Sequence, residues 1–321
     1  MMRWPLTIIL LLFLIPDWMG EPKLPLPSPD MEVGAAAVVP KGGWPARIGA
    51  LEPVGAVALA GSDPAFGGFS ALSLVHGQAV LLSDGGYTLS LAIRGGRLIR
   101  GRVAILRDGP RDGWSRLDRD TESLAHDPAT GRWWVGYENA NAIWRYPPDF
   151  AHAEGHVAPA AMAGWRANGG AETLVRLRDG RFVVLAEVIP RDATIRPGLI
   201  FPGDPTARAR ASVATFSYRP PAGFSPTDAA QLPNGDLLVL HRRFHLPLRF
   251  AAVVTRVPLS ALRRGATVSG REIARFPDSL IGENMEGIAI TREGADTMVW
   301  IVTDNDMAWW RRTILAKYRL R

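Results

Sequence analysis

Carboxylate side chains recur at nearly regular intervals along this chain, each close to the start of a short apolar segment. When these segments are aligned, one polar residue of each falls in a common column, and consecutive members are 52, 50, 56 and 58 residues apart. The column consists of Ser70, Glu122, Glu172, Asp228 and Glu286. Four carboxylates gathered in a partly desolvated site resist ionisation unless a positive group compensates them. We therefore expect a cation among them.

The oxygen ligands of this column favour Ca²⁺ over Mg²⁺, and neither ion requires a thiolate or an imidazole. The predicted metal ligands are Glu122, Glu172, Asp228 and Glu286. A bound metal ion polarises a phosphoryl or ester oxygen and lowers the pKa of a bound water. The predicted catalytic residues are Glu122, Glu172 and Glu286. The competing interpretation is that the acids pair with arginines or accept hydrogen bonds from backbone amides.

A second set of polar residues closes the apolar segment that follows each column residue. These are Asp84, Glu138, Glu187, His241 with Arg242, and Asp304. Antiparallel pairing places the start of one strand beside the end of the next, so we expect the two sets to be neighbours. The predicted substrate-binding residues are His241, Arg242, Arg243, Asn168, Asn284 and Asp304. The first three would steady a phosphate, although a solvent-exposed strand end explains them equally well.

Five copies of a strand, turn and strand pattern carry these residues and predict an all-β protein. Asp127 to Gly131, Asp179-Gly180 and Asn234-Gly235 have the composition of hairpin turns. Repeats of this size favour a β-propeller of five or six blades over a β-sandwich. In the third copy, the segment ASVATFSY is the predicted third strand. The lone strand Val54 to Ala60 would pair with the last copy and close the ring.

The N-terminus has the pattern of an export signal, with Arg3 followed by an apolar core from Leu6 to Ile15. We interpret residues 1–20 as a signal peptide or membrane anchor, residues 21–43 as a Pro-rich tether, and residues 44–321 as the propeller. The expected location is the periplasm or the outside of the cell, with the inner membrane as the alternative for an uncleaved anchor. The core is short for a span of about 20 apolar residues.

Composition restricts the function further. The chain has no cysteine, which excludes disulfides and thiolate chemistry, and its net charge of +6 suits a small anionic or ester substrate. Its basic residues are scattered along the chain, so no nucleic-acid partner is expected. We also expect the protein to be a monomer. The sequence has neither a G-x-S-x-G elbow nor a glycine-rich loop between a strand and a helix, which disfavours serine hydrolase and nucleotide chemistry.

Three short segments resemble the bacterial exported family called phytase-like, or "esterase-like activity of phytase". They are Asp120-Thr-Glu122, Asn168-Gly-Gly-Ala-Glu172 and Asn284-Met-Glu286-Gly-Ile-Ala. The resemblance extends from about Phe66 to Tyr318. It implies a β-propeller and, by analogy with calcium-dependent β-propeller phytases, hydrolysis of phosphate or other esters. The hypothesis is a metal-dependent phosphoesterase at one mouth of the channel. The alternatives are a lactone or carboxyl ester hydrolase and a calcium-stabilised binding propeller without catalysis.

Overall fold

The protein was analysed as a computed structural model that describes residues 23–321 except 95–96, 112, 114, 167–168, 188–193, 208–211 and 248. The segment interpreted as a signal peptide or anchor, residues 1–20, lies outside the described residues. The described chain is built from strands and turns, as its repeated Gly and Pro punctuation predicts. Helical turns among these residues are short and lie at α1 (Arg116–Arg119), Ala160–Met162 and Leu259–Ala261.

The strands are numbered in chain order, and the chain enters the fold through β1 (Val33–Ala37) and β2 (Leu51–Gly61). The first repeat forms β3 (Phe69–Val75), β4 (Gln78–Ser83), β5 (Tyr87–Arg94) and β6 (Arg97–Ile105). The second forms β7 (Thr121–His126), β8 (Trp133–Tyr137), β9 (Ala142–Tyr146) and β10 (Gly155–Val157). The third forms β11 (Ala171–Arg176), β12 (Phe182–Ala186), β13 (Arg196–Phe201) and β14 (Ala214–Arg219).

The fourth repeat forms β15 (Ser225–Gln231), β16 (Leu237–His245), β17 (Arg249–Val257), the short β18 (Thr267–Ser269) and β19 (Arg271–Phe276). The fifth forms β20 (Asn284–Glu293), β21 (Asp296–Asp304) and β22 (Thr313–Leu320). Each repeat makes one antiparallel sheet in which consecutive strands are neighbours, except that β18 joins the third sheet, parallel to β14. The sheets are the blades of the fold and are numbered I to V by repeat.

The innermost strands of the five blades, β3, β7, β11, β15 and β20, lie side by side, and β20 lies against β3 to complete the ring. This arrangement is a five-bladed β-propeller, which confirms the predicted fold and selects the lower of the two predicted blade counts. Hydrophobic clusters fill the spaces between neighbouring blades. For example, Trp134 and Ile143 of blade II pack with Leu174 and Phe182 of blade III.

The predicted hairpins are present. His126 pairs with Trp133, Arg176 with Phe182, and Gln231 with Leu237, so each predicted turn joins the first and second strands of its blade. The third blade differs from the prediction in one element. The segment expected to be its third strand, ASVATFSY, contributes β14, which is the fourth strand, because β13 occupies the third place.

The N-terminal part of the described chain closes the ring. Strand β2 contains the predicted Val54 to Ala60 and pairs along β22, from Leu51 opposite Leu320 to Leu59 opposite Thr313. This pairing covers the free edge of β22, which an open propeller would expose. Strand β1 lies within the segment interpreted as the tether and pairs in turn with β2. Blade V therefore has five strands.

Candidate functional site at the channel mouth

The first ring of the candidate site is set by a β-bulge at the start of each innermost strand. A bulge leaves one residue out of the ladder and redirects its side chain. The bulged residues are Ser70, Glu122, Glu172, Thr227 and Glu286. All of these except Thr227 line one cavity of about 270 Å³ at the end of the channel where the innermost strands begin, which we call the mouth.

The second ring comes from the end of the second strand of each blade, as the antiparallel pairing predicts. Its members pair with residues two or three positions before the bulged residues, and they are Asp84, Glu138, Glu187, Arg242 and Asp304. All but Asp84 line the cavity, together with Asp120, Asn284, Asp306, Arg116 and Leu117. The mouth therefore concentrates eight carboxyl groups around two guanidinium groups.

Burial disfavours the ionised form of these carboxyl groups. Desolvation, followed by the charge of neighbouring carboxylates, raises the pKa of Glu122 and Glu172 well above the ordinary range. Burial likewise raises the pKa of Glu138 to about 8 and that of Glu286 to about 7, although Arg242 opposes the shift at Glu286. The pKa of Asp304 is raised well above its usual value for the same reason. The two arginines thus compensate only part of the negative charge.

Arg242 is the central cation of the mouth. Its guanidinium lies 3.0 Å from an oxygen of Glu187 and 3.2 Å from an oxygen of Glu286, and it donates to Asn284 Oδ1 at 3.3 Å. Burial alone would lower its pKa, but the carboxylates of Glu286 and Glu187 raise it above the usual value. Arg242 is therefore a fixed positive charge with its donors aimed into the cavity wall.

Arg116 supplies the second cation from a different part of the chain. It lies on α1, in the connection between blades I and II, and its guanidinium is 2.5 Å from Asp84 Oδ2. Asp84 is almost completely buried, and burial raises its pKa to about 7 despite this partner. The side chain of Arg116 stays half exposed at the cavity opening, where it can meet an incoming anion.

Two groups of carboxylates have the spacing of metal ligands. Asp120, Glu122 and Glu138 each offer an oxygen within 4.8 Å of the others, and Glu138, Glu172 and Glu187 do the same. Glu138 belongs to both groups. Carboxylate oxygens are the donors that Ca²⁺ and Mg²⁺ prefer. The donor chemistry and the surplus of buried carboxylates over guanidinium groups therefore fit a divalent cation.

The structure brings most of the predicted site residues together. Glu122, Glu172 and Glu286 line the same cavity, and the predicted substrate-binding residues Arg242, Asn284 and Asp304 lie beside them. One predicted residue, Asn168, lies outside the described residues. The remaining predicted residues, Asp228, His241 and Arg243, are placed elsewhere.

Asp228, predicted as a metal ligand, does not line the cavity. The bulge of β15 falls on Thr227, one residue earlier than the alignment assumed, so Asp228 faces away from the channel. Its two carboxylate oxygens accept the backbone N–H groups of Ala229 at 2.7 Å and of Ile288 at 2.8 Å. Asp228 therefore joins the innermost strands of blades IV and V.

His241 and Arg243 flank Arg242 but do not reach the cavity. His241 is fully buried between blades III and IV, with Nδ1 3.1 Å from the Val253 carbonyl oxygen and Nε2 2.8 Å from the Tyr218 hydroxyl. Burial lowers its pKa to about 4, so it is neutral. Arg243 lies over the ring of Phe224, 4.6 Å from its centroid. Alternation along β16 sends only Arg242 to the mouth.

Site residues that the sequence analysis did not assign come mainly from loops. Asp120 precedes the bulge of blade II, Asp306 follows β21, and Arg116 lies on the short helix α1. Asp120 lies in one of the three segments that carry the family resemblance, and Glu138 and Glu187 were expected to lie beside the acidic column. Arg116 and Asp306 carry no repeat signal, because loop residues need not follow the period of the blades.

The fold and the mouth define a class of protein: a five-bladed β-propeller whose channel opens into a pocket of buried carboxylates. Residues 64–307 match the protein family described as Phytase-like, "Esterase-like activity of phytase", and the chain belongs to this family. The resemblance noted in the sequence is thereby confirmed. No functionally curated protein matches the chain in sequence.

Several solved structures match part of this chain at low sequence identity. Glutaminyl cyclase from Myxococcus xanthus is 12% identical with a TM-score of 0.44, covering 79% of this chain and 92% of that chain. Luciferin-regenerating enzyme is 9% identical with a TM-score of 0.44 and the same coverage. U3-55K is 8% identical with a TM-score of 0.42, covering 79% and 96%. Similarity at this level does not identify a substrate.

Among the described residues, no helix is both long and apolar enough to cross a bilayer.

Proposed function

We propose that this protein hydrolyses a phosphoester or a related ester at the mouth of its channel, with the help of a divalent cation. The observation that carries the proposal is the composition of the mouth, where eight carboxyl groups and two arginines line one cavity of about 270 Å³. Such a cavity combines ligands for a hard cation with fixed positive charge for an anionic substrate. Membership of the phytase-like family supports the same reaction class.

Ca²⁺ is the proposed cation, and Mg²⁺ is the weaker candidate. The residues that would hold it are Asp120, Glu122 and Glu138, or Glu138, Glu172 and Glu187, since each set offers oxygens within 4.8 Å of one another. When bound, such an ion supplies Lewis-acid polarisation of the substrate oxygen and lowers the pKa of a water molecule. The shared residue, Glu138, is therefore the most informative position to change.

The charged side chains of the mouth would bind the substrate anion, neutralise charge and accept a proton. Arg116, half exposed at the opening, would meet the anionic oxygens of the substrate, and Arg242 would neutralise charge deeper in the cavity. Glu286 lies 3.2 Å from Arg242, which favours its ionised form. An ionised Glu286 oxygen can take the proton of an attacking water, so we assign it the role of general base.

The test is hydrolysis of a panel of phosphomonoesters, phosphodiesters, lactones and carboxyl esters in excess Ca²⁺ and in chelator. The matched variants are Glu172→Gln, at the mouth, and Asp228→Asn, the same change at a buried carboxylate outside it. The expected result is calcium-dependent turnover that Glu172→Gln abolishes and Asp228→Asn retains. Absence of turnover across the panel in excess Ca²⁺ would contradict a hydrolase. Turnover indifferent to chelator and to Glu172→Gln would contradict the proposed site.

The second candidate function is a calcium-stabilised binding propeller without catalysis. The same observation supports it, namely the surplus of buried carboxylates at the mouth. It differs in its outcome. Ca²⁺ would raise the unfolding temperature, because it binds the folded state alone, while no ester in the panel would be cleaved. Measuring the melt beside the substrate panel therefore separates a binding module from an enzyme.

A further inference from the structure

Large apolar side chains are exposed around the mouth, on loops that border the acidic cavity. We call this set the apolar rim. It consists of Leu117 on α1, Phe244 and Leu246 at the β16–β17 hairpin, and Met307, Trp309 and Trp310 in the β21–β22 loop. Since β16 and β21 both run toward the mouth and α1 lines its cavity, all three loops lie at the same end of the propeller.

The exposure of the apolar rim is large for a protein in water. Trp309 is 90% exposed, Leu246 85% and Trp310 59%, and the two indole rings meet edge to face with their centroids 5.6 Å apart. The other exposed large apolar residues of the described chain are Leu26, Val39 and Val54. Val54 stands apart from the rim, in β2 near the end that is away from the mouth. An exposed apolar patch of this kind marks an interaction surface.

The N-terminal part of the chain reaches the propeller at this same face. The Leu24 side chain lies against Gly85, the residue after Asp84 at the mouth, and β1 then leads away from that end along β2. The residues that precede Leu24 in the sequence include the apolar run from Leu6 to Ile15. Binding of that run in a bilayer interface would bring the mouth face toward the lipid.

The chemistry of the rim matches a lipid surface better than a protein groove. Trp is enriched at the boundary between lipid headgroups and acyl chains, and arginine can bury its stem there while its charge stays in water. Arg312 is half exposed after the two tryptophans, and Arg249 is exposed at the neighbouring hairpin, whereas Arg311 is buried over the ring of Phe250. Asp306 and Glu283 pair with Arg311 and Arg312, at 3.1 and 2.9 Å, which leaves little net charge to drive binding.

We propose that the apolar rim docks on a lipid bilayer, with Trp309, Trp310 and Leu246 entering its interfacial layer. Burial of apolar surface drives this contact, so zwitterionic lipid suffices and salt has little effect. In this orientation the acidic cavity opens onto the headgroup layer. The inference concerns an interaction surface and does not depend on whether the mouth hydrolyses an ester.

The test uses the full chain, whose lack of cysteine makes single-site labelling possible. An environment-sensitive fluorophore is attached at Leu246→Cys or, as the control, at Ala129→Cys, an exposed position in the β7–β8 turn at the opposite end. Phosphatidylcholine vesicles are then added. The expected result is a blue shift, with quenching by lipid-borne quenchers, for the label at 246 and no change for the label at 129.

Combining Trp309→Ser and Trp310→Ser in the protein labelled at 246 should raise the lipid concentration for a half-maximal blue shift about tenfold. Circular dichroism verifies that this variant is folded. Vesicle binding with the label at 246 still in water would overturn the proposal, since the N-terminal segment would then bind alone. A blue shift that depends on protein concentration without lipid would also overturn it, in favour of a contact between copies of the chain.

Discussion

Replacing Arg242 by methionine should destabilise the protein by an amount that increases with pH. Arg242 lies within 3.2 Å of both Glu187 and Glu286, and its side chain is 26% exposed. Methionine keeps much of the stem but removes the charge that favours ionisation of Glu286. Removal of one partner from a largely buried ion pair typically costs about 3–5 kcal/mol.

The pH dependence follows from the pKa of Glu286, which burial raises from 4.5 to about 7 even with Arg242 present. At pH 5.5 the folded protein already holds Glu286 protonated, so the loss of Arg242 should cost about 1 kcal/mol. Above pH 7 the wild type releases this proton, whereas the variant retains it to higher pH. Each unit of difference is worth about 1.4 kcal/mol, so the penalty should reach about 3 kcal/mol at pH 8.5.

The assay is urea unfolding followed by tryptophan fluorescence, at pH 5.5 and 8.5 in the presence of chelator. Arg275→Met is the control, because Arg275 pairs with Glu272 on an exposed strand, where both side chains are more than 40% exposed. That change should cost less than about 1 kcal/mol at either pH. A penalty for Arg242→Met that is equal at the two pH values, or smaller at pH 8.5, would refute the electrostatic account of the mouth.

Three further predictions concern the same region. In chelator, the free energy of unfolding of the wild type should fall as pH rises from about 4 to 8, because buried carboxyl groups stay protonated in the folded state while they ionise in the unfolded state. Burial raises the pKa of Asp84 to about 7 and that of Glu138 to about 8. Urea unfolding at several pH values measures this loss. Asp228→Asn should cost about 2 kcal/mol, since both oxygens accept backbone N–H groups, yet leave the calcium-induced rise in unfolding temperature unchanged. Gly68→Ala should lower the free energy of unfolding by about 2 kcal/mol in the same urea assay, because Gly68 has φ +63° and an added Cβ would stand 2.2 Å from Asp84 Oδ1.

The fold was largely predictable because its signals are local and repeated. Hairpin turns such as Asp179-Gly180 fix where the first two strands of a blade meet, and near-constant spacing of the copies favours a ring. The third blade shows the limit of this reasoning. Its strand β13 carries Arg196 and lacks the turn signature of the hairpins, so the following segment was assigned to its place.

The candidate site was predictable where the chemistry follows the strand register. Glu122, Glu172 and Glu286 are all bulged residues, and the column placed all three in one cavity. In blade IV the bulge falls on Thr227, and a bulge is not visible in residue type, so the acidic neighbour Asp228 was assigned instead. A register error of one residue moves a side chain to the opposite face of the strand.

The run His241-Arg242-Arg243 illustrates the same rule. Treated as one basic cluster, it predicts three phosphate ligands, but alternation along a strand allows only one of two neighbours to face the channel. The structure places Arg242 at the mouth, His241 in the core and Arg243 over Phe224. Arg116 could not be predicted from the repeat, because it lies in a connection between blades, where residues need not follow the period of the strands.

The most direct test of the acid-lined mouth as a cation-dependent site is calorimetric titration of the metal-free protein with Ca²⁺. Glu138 belongs to both groups of carboxylates with ligand spacing, so Glu138→Gln should weaken calcium binding at least about tenfold, a loss of about 1.4 kcal/mol. Asp228→Asn should bind as the wild type does. Absence of calcium binding by the wild type, or equal affinity in the wild type and Glu138→Gln, would contradict the account.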